Sequence, residues 1–352
     1  MPPPAAPIAL NFYCLPPRIG VPVIFRVVMT RKLQARILVI FFSMSPKKLI
    51  FRLLRYSGLP LLFREILQRN KVSIAMFHDI APAAAERAFG FLASRYRIIS
   101  LEDYLRARQT GTPLPPKALI ITLDDGYSQN YELLPVVRKM QIPITIFLCA
   151  GLLGANRHFW FLYKRDEMQP ERLKKMPNAQ RLQVLADAGF RPDMEFSYPH
   201  SLNREQILEM KGHIDLQSHT VFHPCLPKCE DREAWEEIAG AKKILEEEYG
   251  LNVHSLAFPN GDYSGRDIEM AKKAGYQCAI TVDYGFNTLK SDPYRLKRLS
   301  IDDSGDIDAL SLKVSGVWTL FRILTGGQRR NRYENLREQY PAGRLEPIST
   351  PN

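Results

Sequence analysis

The sequence predicts an α/β fold built on a mainly parallel sheet, and two observations carry that prediction. From Val72 to Val282, short apolar runs of strand length alternate with segments of helical periodicity. Strands alternating with helices form parallel sheets through crossover connections. Two clusters of reactive residues, Asp124-Asp125-Gly126 and His219-Thr220-Val221-Phe222-His223, each follow such a run. Strand ends are where sheets and barrels of this class carry their chemistry. No internal repeat is visible.

Residues 1–43 are Pro-rich at first and then apolar with basic interruptions. The run Ile37 to Phe42 is far too short to span a bilayer. Arg31, Lys32 and Arg36 before it give a faint signal-peptide character, but no A-x-A site follows. Met29 and Met44 are alternative starts to Met1. Ser45-Pro46 reads as an N-cap with Pro in the first turn. Leu49, Ile50, Leu53 and Leu54 then recur at helical spacing, and Lys47, Lys48, Arg52 and Arg55 fill the other face up to Gly58. Leu61, Leu62, Phe63, Ile66 and Leu67 form a second apolar set. Residues 44–71 are therefore basic amphipathic helices, either packed on the outer wall or lying on anionic lipid.

From Val72 the pattern changes to alternating short strands and helices. Val72 to Phe77 is a strand ending in His78-Asp79, followed by a helix from Ala83 to Arg95. A short strand at Arg97 to Ile99 and a helix from Leu101 come next. Ala118 to Leu123 is the strand that feeds Asp124. Residues 128–140 read as a helix kinked by Pro135, and Ile144 to Cys149 as a strand. Residues 151–200 are an irregular insertion with Trp160, Phe161 and Tyr163 near its start. Its aromatics are read as packing, with the floor of a sugar cleft as the alternative.

Asn203 caps a helix to Gly212, and Ile214 to Gln217 is the strand that delivers His219. Asp231 to Tyr249 is an amphipathic helix with Trp235, Ile238, Leu245 and Tyr249 inward and Gly250 as its stop. Val253 to Phe258, Arg266 to Ala274 and Tyr276 to Val282 read as strand, helix and strand. Residues 303–352 form a C-terminal extension.

Composition narrows the function. The chain has 48 Lys/Arg against 37 Asp/Glu. Residues 1–71 hold twelve basic residues and one acid, Glu65, which leaves 36 of each sign in 72–352. A nucleic-acid enzyme concentrates positive charge around its site; this region is neutral, so a nucleic-acid substrate is not expected. Five scattered cysteines (14, 149, 225, 229 and 278) favour a reducing compartment. Cys225-x-x-x-Cys229 has no second pair to complete a zinc site. The expected location is cytoplasmic, peripheral on the inner face of the membrane, with secretion left open.

One carboxylate and two imidazoles, with a position open for water, are a usual ligand set for a hydrolytic zinc-type site. The neighbouring carboxylate is then a ready general base. On these residues the sequence resembles the polysaccharide deacetylases of the NodB-homology type, carbohydrate esterase family four. Thr122-Leu123-Asp124-Asp125-Gly126 matches the family's T-F-D-D-G motif, and His219-Thr220-Val221-Phe222-His223 matches H-[ST]-x-x-H. The resemblance covers residues 72–302 and implies a distorted (β/α)7 barrel. It also implies that Asp124 is the base and that Asp125, His219 and His223 hold a divalent metal, zinc first, with cobalt and nickel compatible.

Ala257-Phe258-Pro259-Asn260-Gly261 matches the third motif, R-x-P-[YF]-G, imperfectly. The Asn260 N–H carries over as an oxyanion donor. The motif's Arg, which orients the base, is replaced by Ala257. Arg298 is the candidate substitute, and its alternative reading is a surface arginine beside Arg295. The family's L-x-H motif, source of the general acid, has no match near the C-terminus. Met76-Phe77-His78 fits it on the first strand, as in the circularly permuted poly-N-acetylglucosamine deacetylases. His158, His200, His213 and His254 lack such a context.

The resemblance thus implies hydrolysis of N-acetyl groups on an exopolysaccharide or a lipid-linked N-acetylhexosamine glycan. Deformylation or de-O-acetylation of a lipid-linked sugar is the alternative within hydrolases. A non-catalytic carbohydrate-binding protein on the same scaffold is the alternative outside them. The oligomeric state is not legible.

Overall fold

A computed structural model describes residues 45–163 and 169–324. The expectations for 1–43, including Cys14 and the alternative starts, lie outside the described residues, as does the C-terminal extension beyond 324.

Two near-continuous apolar runs form the central strands, β1 (Val72–Phe77) and β3 (Ala118–Leu123), buried along their whole length. They pair in parallel from Val72↔Ala118 to Phe77↔Leu123. Strands this apolar are those covered on both faces. β3 continues to β4 (Thr145–Leu148), β5 (Asp215–Ser218), β6 (Ser255–Ala257), β7 (Cys278–Tyr284) and β8 (Leu296–Ser300), all parallel. β8 returns to β1 through Ala75↔Leu299 and Met76↔Ser300. Seven strands therefore close into a barrel. The two-residue β2 (Arg97–Ile98) adds to the lower end of β3, below β4.

Alternation along the strands divides inside from outside. Ile74, Ile120, Phe147, Ala257, Ile280 and Leu296 belong to one buried cluster, to which six strands contribute. Their neighbours Ala75, Ile121, Ile146, Leu148, Leu256 and Leu299 belong to the larger cluster shared with the surrounding helices. Extending the inner row by two positions from Ile120 and Leu296 reaches Thr122 and Arg298. Two further steps from Thr122 and Ile74 reach Asp124 and, through Met76, His78.

The outer helices in chain order are α1 (Pro46–Tyr56), α2 (Leu59–Leu62), α3 (Pro82–Ala93), α4 (Leu101–Thr110), α5 (Leu134–Met140), α6 (Pro170–Leu173), α7 (Asn178–Asp187), α8 (Arg204–Met210), α9 (Asp231–Glu247), α10 (Gly265–Lys273), α11 (Ile307–Val314) and α12 (Val317–Leu324). Asn203 caps α8 with a reciprocal Gln206 capping box. Gly250 ends α9 as expected: with φ +61°, its N–H reaches Glu246 O and that of Leu251 reaches Leu245 O, the Schellman pattern.

Several boundaries differ from expectation. Residues 128–140 are not one kinked helix. A 3₁₀ segment spans Ser128–Leu133, and Pro135 sits in the first turn of α5, where its missing N–H costs nothing. The strand expected from Val253 shortens to β6, because the His254 and Ser255 N–H groups donate to the Gln217 side chain instead. The insertion has a small core of its own, with Trp160, Leu173, Leu185 and Phe190 packed on Cys225.

α1 packs on α11 rather than standing apart. Phe51 is buried with Ala309, Leu312 and Val317, and Arg52 and Arg55 both bond Asp308. α2 runs on as a π turn over Phe63–Leu67. The next residue, Gln68, is buried and donates to Val314 O and Ser73 Oγ. No helix among the described residues is long and apolar enough to cross a membrane.

Candidate metal centre and catalytic site

The two motifs meet at the C-terminal mouth of the barrel. Asp124 follows β3, and its N–H donates to Phe77 O, so it stands beside His78 at the end of β1. The turn after β3 places Asp125 at φ +76°. Gly126 follows at φ +71°, where an added Cβ would lie 2.6 Å from the Leu148 side chain; only glycine fits that turn. Across the mouth, β5 ends at Ser218, and the next turn carries Thr220 and His223 at positive φ. Six described non-glycine residues have left-handed φ. Four of them, Asp125, Thr220, His223 and Asn260, belong to the motifs at this mouth. Such strain persists where surrounding structure enforces it, commonly at functional sites.

Asp125, His219 and His223 form a metal-competent triad. Asp125 Oδ1 lies 3.5 Å from His219 Nε2 and 3.4 Å from His223 Nε2. All three residues are buried, and their ligand atoms lie within 4.8 Å of one another. Oδ1 of Asp125 is sealed from solvent without a hydrogen-bond donor. A buried carboxylate oxygen without a donor is costly unless a cation is its partner. The His219 ring is fixed from behind, because Nδ1 lies 2.7 Å from Ala257 O. That carbonyl can only accept, so Nδ1 carries the proton and Nε2 presents its lone pair. Burial pushes the His223 imidazole down to about 3, toward the neutral form a ligand needs. This donor set, one carboxylate and two imidazoles, fits a divalent ion.

Asp124 is held differently. Arg298 is fully buried and grips it bidentately, Nη1 to Oδ1 at 2.6 Å and Nη2 to Oδ2 at 2.8 Å. Nε of Arg298 donates to Thr281 O, and the guanidinium lies over the Phe147 ring. Burial opposes ionisation of Asp124, but Arg298, with His219 and His78 behind it, holds its carboxyl below the ordinary range. Arg298 is therefore an interior residue of this site, not a surface arginine. It comes from β8, whereas the matching motif position is Ala257 on β6.

His78 is half-buried. Its N–H donates to Asp303 and its carbonyl accepts from Asn130 Nδ2, which fixes its backbone at the strand end. Asn260 has φ +57°, and its side chain points to Cys225 Sγ, two residues beyond His223. Cys225 and Cys229 are buried and free, and serve as packing. Of the insertion aromatics, Phe159 and Trp160 are buried, consistent with packing. Trp160 Nε1 donates to His223 O, and the Phe161 ring lies 4.8 Å from the His223 ring. His158 and His200 stack on each other in the insertion, while His254 bonds Ser255 at the opposite end of the barrel.

One site residue escapes the sequence reading. Glu237 on α9 is buried, and its Oε2 accepts from the Val221 and Phe222 N–H groups at 2.8 and 2.9 Å. It thereby braces the loop between the two histidines. Burial raises its carboxyl to about 7 against those donors. A signal existed: Glu237 lies three residues after Ala234 and four before Ala241, both on the buried face of the helix. Glu237→Ala should leave two buried N–H groups unpaired, costing ~1–3 kcal/mol, and weaken zinc binding about 10–100-fold. Glu237→Gln can keep both bonds through its amide oxygen. Thermal melts and zinc titration of the two variants decide this; equal losses in both would contradict the bracing role. The raised pKa also has a sign: ionisation above the ordinary carboxylate value costs native stability as pH rises toward about 7. Glu237→Gln should remove that slope.

Comparison with known proteins places this geometry. The family profile described as polysaccharide deacetylase matches residues 111–279. YxkH of Bacillus subtilis, provisionally described as a polysaccharide deacetylase, is 25% identical over 187 residues, covering 53% of this chain and 52% of its own. The poly-β-1,6-N-acetyl-D-glucosamine N-deacetylase of Staphylococcus epidermidis is 22% identical over 218 residues, 59% of this chain and 62% of its own. The chain thus spans about half to three fifths of the length of these relatives. Among solved structures, IcaB from Ammonifex degensii superposes with a TM-score of 0.51 at 20% identity, covering 69% of this chain and 98% of that one. At that identity the likeness is one of fold.

Proposed function

Since the chain carries a polysaccharide deacetylase domain of the NodB type, we propose that it is a metal-dependent hydrolase removing N-acetyl groups from hexosamine units of an exopolysaccharide. One observation supports this most: the Asp124–Arg298 pair stands beside the Asp125-His219-His223 triad at one barrel mouth. That is a separate base and ligand set on neighbouring residues. The substrate class follows from two relatives described as poly-β-1,6-N-acetyl-D-glucosamine N-deacetylases.

In this reading Asp125, His219 and His223 would hold a divalent cation, zinc first, which would supply Lewis acidity and lower the pKa of a water in the site. Asp124 accepts the proton of the attacking water. Its orientation is set by the Arg298 fork, so the accepting oxygen does not wander. The Asn260 N–H donates to the oxyanion of the tetrahedral intermediate, in a turn where Asn260 and Gly261 both have left-handed φ. Gly261 cannot be replaced freely, because a Cβ there would meet Val282 at 2.1 Å.

His78, on the strand between β3 and β8, protonates the departing amine. An amide needs that proton, since an amide anion is a very poor leaving group. His78→Ala should therefore slow hydrolysis of an N-acetylated oligosaccharide by about 10²–10⁴-fold. An activated acetate ester, whose leaving group needs no proton, should be nearly unaffected. Comparing kcat on the two substrates checks the role, and equal losses on both would make His78 a structural residue. The same comparison bears on de-O-acetylation, the competing hydrolase reading, which would need His78 far less.

A further inference from the structure

We infer that the wall formed by α1, α2 with its π turn, and α12 is a docking surface for an anionic bilayer. Fourteen large apolar side chains are exposed among the described residues, and eleven of them lie on these segments. Ile50 and Leu53 on α1 are more than half exposed, as are Leu61, Leu62 and Ile66 along α2 and the π turn. Phe321 and Leu324 continue the patch on α12. The two ends are one surface, because the Phe51 and Trp318 rings meet edge to face at 5.2 Å and Trp318 stacks on Phe321.

Packing explains why this patch is surplus to the fold. α1 meets α11 through Phe51, Leu54, Arg52 and Arg55, which satisfies that face. Lys47, Ile50 and Leu53 succeed one another at three-residue spacing on the other side, all exposed. An exposed apolar cluster rimmed by polar residues marks an interaction surface.

Charge selects the occupant. Residues 46–71 carry seven Lys/Arg and one acid. Arg52 and Arg55 are engaged by Asp308, and Arg64 with Lys117 by Glu65. Lys47, whose ammonium lies over the Phe51 ring, and Lys48 and Arg69 are exposed on the same segments as the aliphatic residues. Leucines and isoleucines flanked by these cations, with Glu65 as the one acid and itself paired to Arg64 and Lys117, suit the boundary between acyl chains and anionic headgroups. The proposal does not depend on the catalytic reading, and its test is read without turnover.

Flotation of the full chain with vesicles of phosphatidylglycerol and phosphatidylcholine tests it. The protein should float with these vesicles at low salt and stay behind with pure phosphatidylcholine, and raised salt should release it. The triple variant Leu53→Ser/Leu61→Ser/Ile66→Ser should lower the partition coefficient by at least about tenfold. Its melting temperature should be unchanged, because these side chains are exposed. Failure to float at low salt overturns the proposal. So does undiminished flotation of the triple variant, which would assign binding to other parts of the chain. If the wild type ignores vesicles and sediments as a dimer that the variant breaks, the patch is a self-interface instead.

Discussion

Replacing His219 with alanine is expected to abolish metal binding and turnover together while leaving the barrel folded. His219 would supply one of three ligands, and it lies opposite the Asp125 oxygen that has no donor. The substitution also orphans the Ala257 carbonyl, costing ~1–3 kcal/mol of stability in the metal-free protein. A second readout separates metal loss from general damage. Wild-type protein should melt at higher temperature as zinc is added, gaining about 2.7 kcal/mol when zinc reaches a hundredfold excess over its Kd. The melting temperature of His219→Ala should ignore zinc. Full zinc occupancy in this variant would remove His219 from the ligand set.

Asp124→Asn should do the reverse: keep the metal and lose about 10²–10⁴-fold in kcat. The isosteric amide still fits the cavity, but it cannot take a proton from water. It also leaves the Arg298 guanidinium buried without its counter-charge. Breaking such a pair costs ~3–5 kcal/mol, so a lower melting temperature should accompany normal zinc content. The Arg298 fork favours the ionised carboxylate, so Asp124 is ready as a base down to low pH. Removing Arg298 should therefore move the acid limb of the pH–rate profile upward. If Asp124→Asn instead sheds zinc while Asp125→Asn keeps it, the two aspartates have exchanged roles.

The barrel was legible because period and length agree along most of the chain. β1 and β3 are uninterrupted apolar runs bounded by turn residues, and their boundaries at Val72, Phe77, Ala118 and Leu123 coincide with the expectation. β8 was harder to see. In Leu296-Lys297-Arg298-Leu299-Ser300 the inward row itself carries a charge, so the apolar alternation that marks a strand is broken at Arg298. Periodicity cannot reveal that this charge is neutralised by Asp124, 174 residues away in sequence. α11 was not legible, because it is buried on most sides, Asp308 and Ser311 included, and shows no amphipathic stripe.

A set of one carboxylate and two histidines was legible from residue type, and the choice of Asp125 over Asp124 as the ligand rested on the family resemblance. Glu237 was not, because Asp231 to Glu247 is rich in acids and most face solvent. Its neighbour Glu236 pairs with exposed Arg232, and only the turn of the helix directs Glu237 to the histidine loop. For the helices at 44–71 the sequence allows wall packing or lipid contact. The structure shows one face packed through Phe51 and another left bare at Ile50 and Leu53. An amphipathic pattern cannot distinguish these cases, because it records polarity and not what covers it.

The central claim is that this site removes acetyl groups from amino sugars. Mass spectrometry of β-1,6-linked N-acetylglucosamine oligomers, incubated with zinc-loaded protein, tests it most directly, with Asp124→Asn as the control. The account predicts products lighter by the exchange of an N-acetyl group for a free amine, released acetate in equal amount, and neither with the variant. Oligomers of unchanged mass that still bind the zinc-loaded protein would contradict it and leave a carbohydrate-binding scaffold.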